Sequence, residues 1–348
     1  MMSSEGYLAD ATTRHQVYVQ RYAGGNIKRV AKFITKAISR AREALRGGLS
    51  EYGTQRFNSQ LGALQRDLQG IYSDMKNQAM LDLGEFAGYE ASFSARMLGQ
   101  VVTALVQTHV PSADLVAAAA LADPMLLEAR AGVQRISIAG ALDQFGTAKS
   151  AQIVGEIQIG SALGETTQQI SQRLTSVHQL QRDQASALVR TMTNHVASTA
   201  RAETFKANDD ILAGKRRIAT LDGRTSPFCR SIDNTVVPFS APSPPFHWNC
   251  RTSEIPVLKP LFEREIPGSG RPAVGPDGAE QVSSKTTYQQ WLARQPAAFQ
   301  IDVLGPARYK LFSKGQLTLD RFVDDSGHQI TLDELRQLEP RAFERAGI

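Results

Sequence analysis

The chain has 348 residues, of which 42% are hydrophobic and 21% are charged, so it can form two or more domains of a folded soluble protein. No stretch approaches ~20 consecutive apolar residues, and the chain has two cysteines, which excludes a predicted membrane helix and a disulfide-stabilised scaffold. The net charge of +5 is concentrated in residues 1–50, which hold nine Lys and Arg against three Asp and Glu.

The first part of the chain has the periodicity of long helices. Residues 27–46 carry apolar side chains at helical spacing and basic side chains on the other faces. Residues 54–82 alternate apolar steps of four and three, which predicts a packed helical hairpin, and a further helix is predicted over 86–107. Pro111 ends that helix, and Ser112 is expected to cap the alanine-rich helix that follows.

Helices also dominate the middle of the chain. Residues 133–164 predict one or two short helices between glycines, and another helix begins after Gly164. A long helix is predicted over residues 180–213, and Gly214 is expected to end it.

The pattern changes after Gly214. Residues 215–257 are rich in turns and prolines, with short strands predicted at 217–220 and 235–237 and a turn at Asp222-Gly223. Residues 264–285 have the composition of a linker.

A small helical tail follows, and its Thr331 and Glu334 have the spacing of a capping box. These elements predict a mainly α protein with a small α+β module. The expected division is a helical domain (1–130), a compact module (131–260), a linker (261–285) and a C-terminal helical tail (286–348).

Cys229, His247 and Cys250, here called the cysteine cluster, admit three interpretations. Thiolates and imidazole are zinc ligands, and Asp222 or Asp233 would serve as a fourth ligand. Alternatively, both cysteines are small buried side chains, and His247 hydrogen-bonds a backbone carbonyl or Asp222. The third interpretation is a catalytic Cys/His pair, for which no cysteine at a helix N-terminus is obvious. We favour the second interpretation, a structural cluster.

Several segments, taken in order, resemble the Mu F-like head morphogenesis family of tailed phages. They are RAETFKAN (201–208), ATLDGRTSPFC (219–229), Asp233 and PPFHWNCRTSEIPV (244–257). The matching positions expected to form a structural knot are Arg201, Glu203, Asp222, Arg224, Thr225, Cys229, Asp233, His247, Cys250 and Arg251.

Within this knot, Arg201 and Glu203 are expected to pair with Asp222 or Arg224. Many family members carry cysteines where this chain has Ser226 and Thr252. That departure favours a hydrogen-bonded cluster over a zinc site.

The resemblance implies a minor head protein of the virion, located in the head interior or at the portal vertex, with no enzymatic activity and no cofactor. Its expected partners are the portal protein and the scaffold or major capsid protein, and its expected roles are head assembly and genome ejection. Assembly is expected to take place in the host cytoplasm. The N-terminal residues show no basic-then-apolar pattern, so no secretory leader is predicted.

Two further hypotheses come from the residues themselves. Basic side chains on the helix over 27–46 predict non-specific contact with double-stranded DNA or with an acidic partner; they are Lys28, Arg29, Lys32, Lys36 and Arg40. The alternative to a structural protein is a hydrolase that depends on a metal or a thiol of the cysteine cluster.

Overall fold

A computed structural model of the chain describes residues 2–49, 52–103, 106–129, 132–266, 270–324 and 326–348. The structure is 64% helical, and its small sheets lie mostly in the C-terminal half, which confirms the prediction of a mainly α protein with a small α+β module. Among the described helices, none combines the length and the apolar content that crossing a bilayer requires.

The N-terminal half consists of long helices around one hydrophobic core. Its elements are β1 (Met2–Ser3), α1 (Ser4–Arg46), α2 (Gln55–Val101), α3 (Ala113–Ala122), β2 (Met125–Ala129), β3 (Gly132–Ile136), α4 (Ile138–Ala162) and α5 (Thr167–Lys206). Helices α1 to α5 and the β2–β3 hairpin all contribute side chains to this core. The core therefore includes residues on both sides of the predicted boundary at residue 130, and the division into domains stays a prediction.

The helices are longer than the apolar periodicity predicts. Helix α1 begins at Ser4, well before the predicted start at residue 27. The apolar periodicity does not predict its first half because the buried face there is partly polar, with Thr12, His15 and Gln16 inside. Helix α2 continues through Gly84 and Gly88, where a Cβ at residue 88 would lie 3.0 Å from the Ala113 Cβ of α3. That glycine permits close helix contact and does not end the helix.

Two other predictions have clear outcomes. The short helices predicted over 133–164 are wrong at their start, because residues 132–136 form β3 and pair with β2; α4 then continues as a single helix. The caps are confirmed: Ser112 caps α3, and Thr331 and Glu334 form a capping box.

A small sheet module follows α5. Its elements are β4 (Leu212–Ile218), β5 (Leu221–Asp222), α6 (Pro227–Ser231), β6 (Val236–Val237), β7 (Ser253–Leu258) and β8 (Glu265–Ile266). Strand β4 lies between β6 and β7 in an antiparallel sheet, and β8 pairs with β1. Apolar side chains of the sheet pack against Leu8 of α1 and Leu98 of α2, which fixes the module on the ends of the long helices.

The tail forms its own core, around Trp291. Its elements are β9 (Gly270–Gly275), β10 (Gly278–Ser283), α7 (Tyr288–Ala293), α8 (Ala297–Leu304), α9 (Pro306–Ser313), α10 (Leu332–Leu338) and α11 (Pro340–Ala346), with 3-10 turns at Pro260–Phe262 and Leu319–Phe322. Residues 267–269 of the predicted linker lie outside the described residues. The rest of that linker contains β8 and the β9–β10 hairpin, and β9 pairs in parallel with β5.

Candidate functional site

The cysteine cluster forms where two short segments of the sheet module meet. Cys229 lies on α6, which begins at Pro227 and is capped by Ser226, whose hydroxyl accepts a hydrogen bond from the Cys229 amide. His247 and Cys250 lie in the loop between β6 and β7, where the Cys250 amide donates to the His247 carbonyl. The turn at α6 and the turn at residues 247–250 therefore aim the three side chains at one another.

The potential ligand atoms of the three side chains lie close to one another. The Cys229 Sγ lies 3.2 Å from His247 Nε2 and 3.8 Å from Cys250 Sγ. All three potential ligand atoms lie within 4.8 Å of one another. Cys229 and Cys250 are 2% and 1% exposed, and His247 is half-buried.

The ring of His247 has a defined orientation. Its Nδ1 lies 2.9 Å from the Trp248 carbonyl oxygen, and a carbonyl only accepts, so Nδ1 carries the proton. In the neutral ring, the Nε2 lone pair then points at Cys229 and at the Ser226 hydroxyl, which lies 2.8 Å away. This tautomer leaves Nε2 available to accept a proton or to bind a metal.

The two thiols of the cluster have pKa values shifted in opposite directions. Hydrogen bonding to Cys250 and burial raise the pKa of the Cys229 thiol well above its usual value. Burial also opposes charge on Cys250, but hydrogen bonds from Cys229 and His247 outweigh it and hold the pKa of Cys250 well below its usual value. Burial lowers the pKa of His247, yet its interaction with Cys250 raises that pKa above the ordinary histidine value.

A cavity of about 20 Å³ adjoins the cluster, with Ser226, Cys229, His247 and Thr252 among its lining residues. This space has room for about one water molecule. Because a nucleophilic thiol must be exposed to its substrate, the burial of Cys229 and Cys250 argues against the thiol-dependent hydrolase.

Asp222 is engaged by another residue. Its carboxylate accepts two hydrogen bonds from Arg251, at 2.6 and 2.9 Å, and others from the Thr225 hydroxyl and the Arg224 amide. Burial opposes ionisation of Asp222, but the bonds from Arg251 outweigh it and lower its pKa. Asp222, predicted as a fourth metal ligand, is therefore not part of the converging group.

Asp233 joins the sheet module to the tail. It accepts two hydrogen bonds from Arg271, at 2.6 and 3.0 Å, and one each from the Ala219 and Tyr288 amides. The Arg271 side chain is fully buried and also donates to the Thr286 carbonyl. We call Asp233, Arg271 and the Tyr288 amide the Asp233 joint. Arg271 was not predicted, because β9 carries no periodic signal in a segment with linker composition. Tyr288 begins α7 in the tail, and the contact of its amide with Asp233, 55 residues away in the chain, leaves no local signal.

The loop that carries His247 and Cys250 is attached to α5. The Asn249 amide donates to the Thr191 hydroxyl at 3.0 Å, and the Asn194 side chain donates to the Thr252 carbonyl at 3.4 Å. Asn194 also accepts from Gln16 of α1, so one polar side chain contacts both the bundle and the loop. All ten residues from 191 to 200 are buried.

The predicted pairing of Arg201 and Glu203 with Asp222 or Arg224 is not observed. Arg201 is buried and donates to Glu90 of α2, whose carboxylate also contacts His15 at 2.6 Å. Glu203 pairs with Lys206 one turn later on α5. The prediction failed because Arg201 lies on the bundle-facing side of α5, where Glu90 is the buried acid.

The predicted basic residues of α1 divide into two groups. Arg29 pairs with Asp82, and Arg40 pairs with Asp67, so α2 neutralises both. Lys28, Lys32 and Lys36 are exposed at four-residue spacing and form no ion pair with any residue that the structure describes. These three lysines, here called the lysine row, are the part of the predicted basic surface whose positive charge no acid among the described residues neutralises.

Residues 151–255 match the family model described as Phage Mu protein F like protein. Over this segment the chain is similar to the Mu F-like phage proteins. The Mu F-like segment begins within α4 and extends through α5 and the cysteine cluster into β7. No curated protein and no solved structure matches the chain significantly.

The Mu F-like segment thus contains the cysteine cluster and the Asp222 pair, whereas the α1–α2 hairpin and the tail lie outside it. Two of its buried charges have partners outside the segment: Glu90 for Arg201 and Arg271 for Asp233. Residues both before and after the segment therefore form buried ion pairs with it.

Proposed function

We propose that the protein is a minor head protein of a tailed phage that acts during head assembly, at the portal vertex, through protein–protein contacts. The observation that carries the proposal is the match of residues 151–255 to the Mu F-like family, which implies a phage head morphogenesis protein. In this proposal the portal protein and the scaffold or major capsid protein are its partners, and the virion is its location.

The geometry is consistent with a structural role. The most chemically distinctive side chains of the Mu F-like segment are buried or paired, and the cavity beside them has a volume of only about 20 Å³. In this proposal the long helices of the N-terminal half supply the surface for partners, since helical faces dock readily on other helices.

Protein composition of purified heads tests this proposal. We expect the protein in mature virions at few copies, and its loss from heads assembled without portal protein. The content of major capsid protein, which should be equal in both preparations, is the control. Equal amounts of the protein in portal-less heads contradict the portal assignment, and its absence from virions contradicts the whole proposal.

Comparing virions with emptied particles then decides ejection, because an ejected protein is missing from the emptied ones.

The lysine row favours a second role, non-specific contact with packaged DNA. Exposed lysines attract phosphates without reading bases, and such binding weakens steeply with salt. No acid among the described residues neutralises these three lysines, unlike Arg29 and Arg40. The role is compatible with a position inside the head.

A charge-matched pair of double variants tests the DNA contact. Lys32→Gln with Lys36→Gln should reduce the slope of log affinity against log salt by roughly 2, at about 0.9 per lost phosphate contact. Lys310→Gln with Lys314→Gln on α9 and just after it removes the same charge at the same spacing and should change the slope little. Equal effects of the two pairs, measured by fluorescence anisotropy, would refute a located contact.

A further inference from the structure

We propose that Cys229, His247 and Cys250 bind one structural zinc ion, with an oxygen ligand in the fourth position. The inference rests on the arrangement of these side chains and is independent of the proposed function. The alternatives are a hydrogen-bonded cluster without metal and a disulfide between the two thiols.

The distances fit a tetrahedral ion. Zinc–sulfur bonds of about 2.3 Å at tetrahedral angles place two sulfurs about 3.8 Å apart, and the Cys229 and Cys250 sulfurs lie 3.8 Å apart. The same geometry places sulfur and imidazole nitrogen about 3.5 Å apart, close to the 3.2 Å between Cys229 Sγ and His247 Nε2. The three atoms therefore need only small shifts to bind one ion.

The orientation of His247 also suits a metal ligand. Its Nδ1 proton is donated to the Trp248 carbonyl, which is the outer hydrogen bond that zinc-bound histidines make. The Nε2 lone pair is left facing the two sulfurs.

A buried hydroxyl beside the cluster fits an oxygen ligand in the fourth position. Thr252 is 2% exposed and lines the small cavity beside the cluster; its Oγ1 interacts with the Cys229 thiol but makes no hydrogen bond of normal geometry within the described residues. A water on the fourth position of the ion would occupy this cavity and hydrogen-bond Thr252. The Ser226 hydroxyl, near His247 Nε2, lies on the same side.

Charge balance favours zinc in this buried place. On binding, the cluster releases two protons to solvent, so that both cysteines bind as thiolates and His247 binds as the neutral ring. Two thiolates and one Zn²⁺ sum to zero, so the buried site carries no net charge. The ion would connect α6 to the β6–β7 loop, two segments that backbone pairing does not hold together directly.

Metal content of the purified full-length protein tests the inference. The protein is equilibrated with zinc at a buffered free concentration, and bound metal is counted by plasma mass spectrometry. We expect one zinc per chain. Cobalt in place of zinc should give the intense visible bands of a tetrahedral site together with thiolate-to-cobalt charge transfer. Folded, zinc-free parent protein under these conditions would overturn the proposal, and a mass lower by two hydrogens would identify the disulfide instead.

Three variants locate the ion. Cys250→Ala should lose the zinc, and Asp222→Asn should keep it, because Asp222 is bound by Arg251 and lies outside the converging group. Ser226→Cys places a third thiol beside His247 Nε2; we expect it to bind zinc at least tenfold more tightly and to strengthen the cobalt charge-transfer band. If Cys250→Ala fails to fold, Ser226→Cys still decides: unchanged affinity and an unchanged cobalt spectrum contradict the site.

Discussion

At the scale of single residues, buried charges hold this molecule together at defined places. Asp222 is satisfied by Arg251, Asp233 by Arg271, and Glu90 by Arg201 and His15. Desolvating these charges is costly, and each pair contributes only while both members are present. Loss of one partner therefore costs more than loss of an exposed ion pair such as that between Arg40 and Asp67.

Asp222→Asn should destabilise the protein in a pH-dependent way. At neutral pH we expect a loss of about 1.5–3 kcal/mol in the free energy of unfolding, because charged hydrogen bonds to Arg251 are removed. The pKa of Asp222 is lowered on folding, so its stabilisation is complete above the ordinary aspartate pKa. It is lost as the pH falls through the lower folded value.

Urea unfolding at a series of pH values measures this difference between parent and Asp222→Asn. The difference should shrink steadily below the ordinary aspartate pKa. Asp302→Asn on the exposed side of α8 is the control and should change the free energy little at neutral pH. A difference that stays constant down to the acid limit would show that the ionised Asp222 contributes nothing.

At the scale of elements, glycines mark where helices approach closely. A Cβ at Gly146 of α4 would lie 2.9 Å from the Tyr72 Cβ of α2, which is closer than real side chains come. On the same helix, a Cβ at Gly155 would meet nothing within 4 Å. Two glycines of one helix thus have opposite packing surroundings.

Gly146→Ala and Gly155→Ala should change stability in opposite directions. At residue 155, alanine gains about 1 kcal/mol of helix propensity without a clash. At residue 146 the same gain is exceeded by overpacking against Tyr72, which costs about 1–3 kcal/mol. Thermal unfolding followed by circular dichroism compares the two variants, and shifts of the melting temperature in the same direction would contradict the close contact.

The sequence predicts element types better than their limits. Apolar periodicity predicted the seam of α2, and cap chemistry predicted Ser112 and the Thr331–Glu334 box, because both are local signals. The first half of α1 was not predicted, since its buried face includes polar side chains whose partners are distant in the chain: Glu90 of α2 for His15, and Asn194 of α5 and Ser253 of β7 for Gln16. Periodicity in hydrophobicity cannot reveal partners so distant in the chain.

The residues of the candidate site were likewise predicted better than their partners. The sequence singled out the cysteine cluster because unusual residue types are crowded there, and the family motif named Asp222 and Arg251 without indicating that they pair with each other. It did not indicate that Asp233 pairs with Arg271 or that Arg201 pairs with Glu90, since those partners lie 38 and 111 residues away in the chain. Tertiary contact alone determines such pairs.

At the scale of the whole molecule, the Asp233 joint connects the core of the tail to the sheet module. The helical bundle has one core, the tail has another around Trp291, and the sheet module packs on the ends of α1 and α2. The joint buries a charged pair, and breaking such a pair costs about 3–5 kcal/mol. We therefore expect the tail and the bundle to unfold together while the joint is intact.

Asp233→Ala should separate the unfolding of the tail from that of the bundle. Trp248→Phe leaves Trp291 as the only tryptophan, and its fluorescence reports the tail core while far-ultraviolet circular dichroism reports mostly the bundle. In urea the two signals should coincide in this background. In the Asp233→Ala variant, the fluorescence transition should move to lower urea than the dichroism transition.

Asp209→Ala, an exposed substitution just after α5, is the control and should leave the two transitions coincident. If the transitions also coincide in Asp233→Ala, other contacts hold the tail to the module, and the joint is not the connection between the two.

Thr191 and Asn194, which attach the cysteine loop, lie within the part of α5 that packs in the bundle core, among Val189, Met192 and Val196. A helix advances about 100° per residue, so the residue spacing in this part of α5 sets the angle between its loop-facing and core-facing side chains. Length changes inside α5 would turn Thr191 and Asn194 away from Asn249 and Thr252, even with every side chain unchanged. In this part of the chain, residue count is as strictly determined as residue identity.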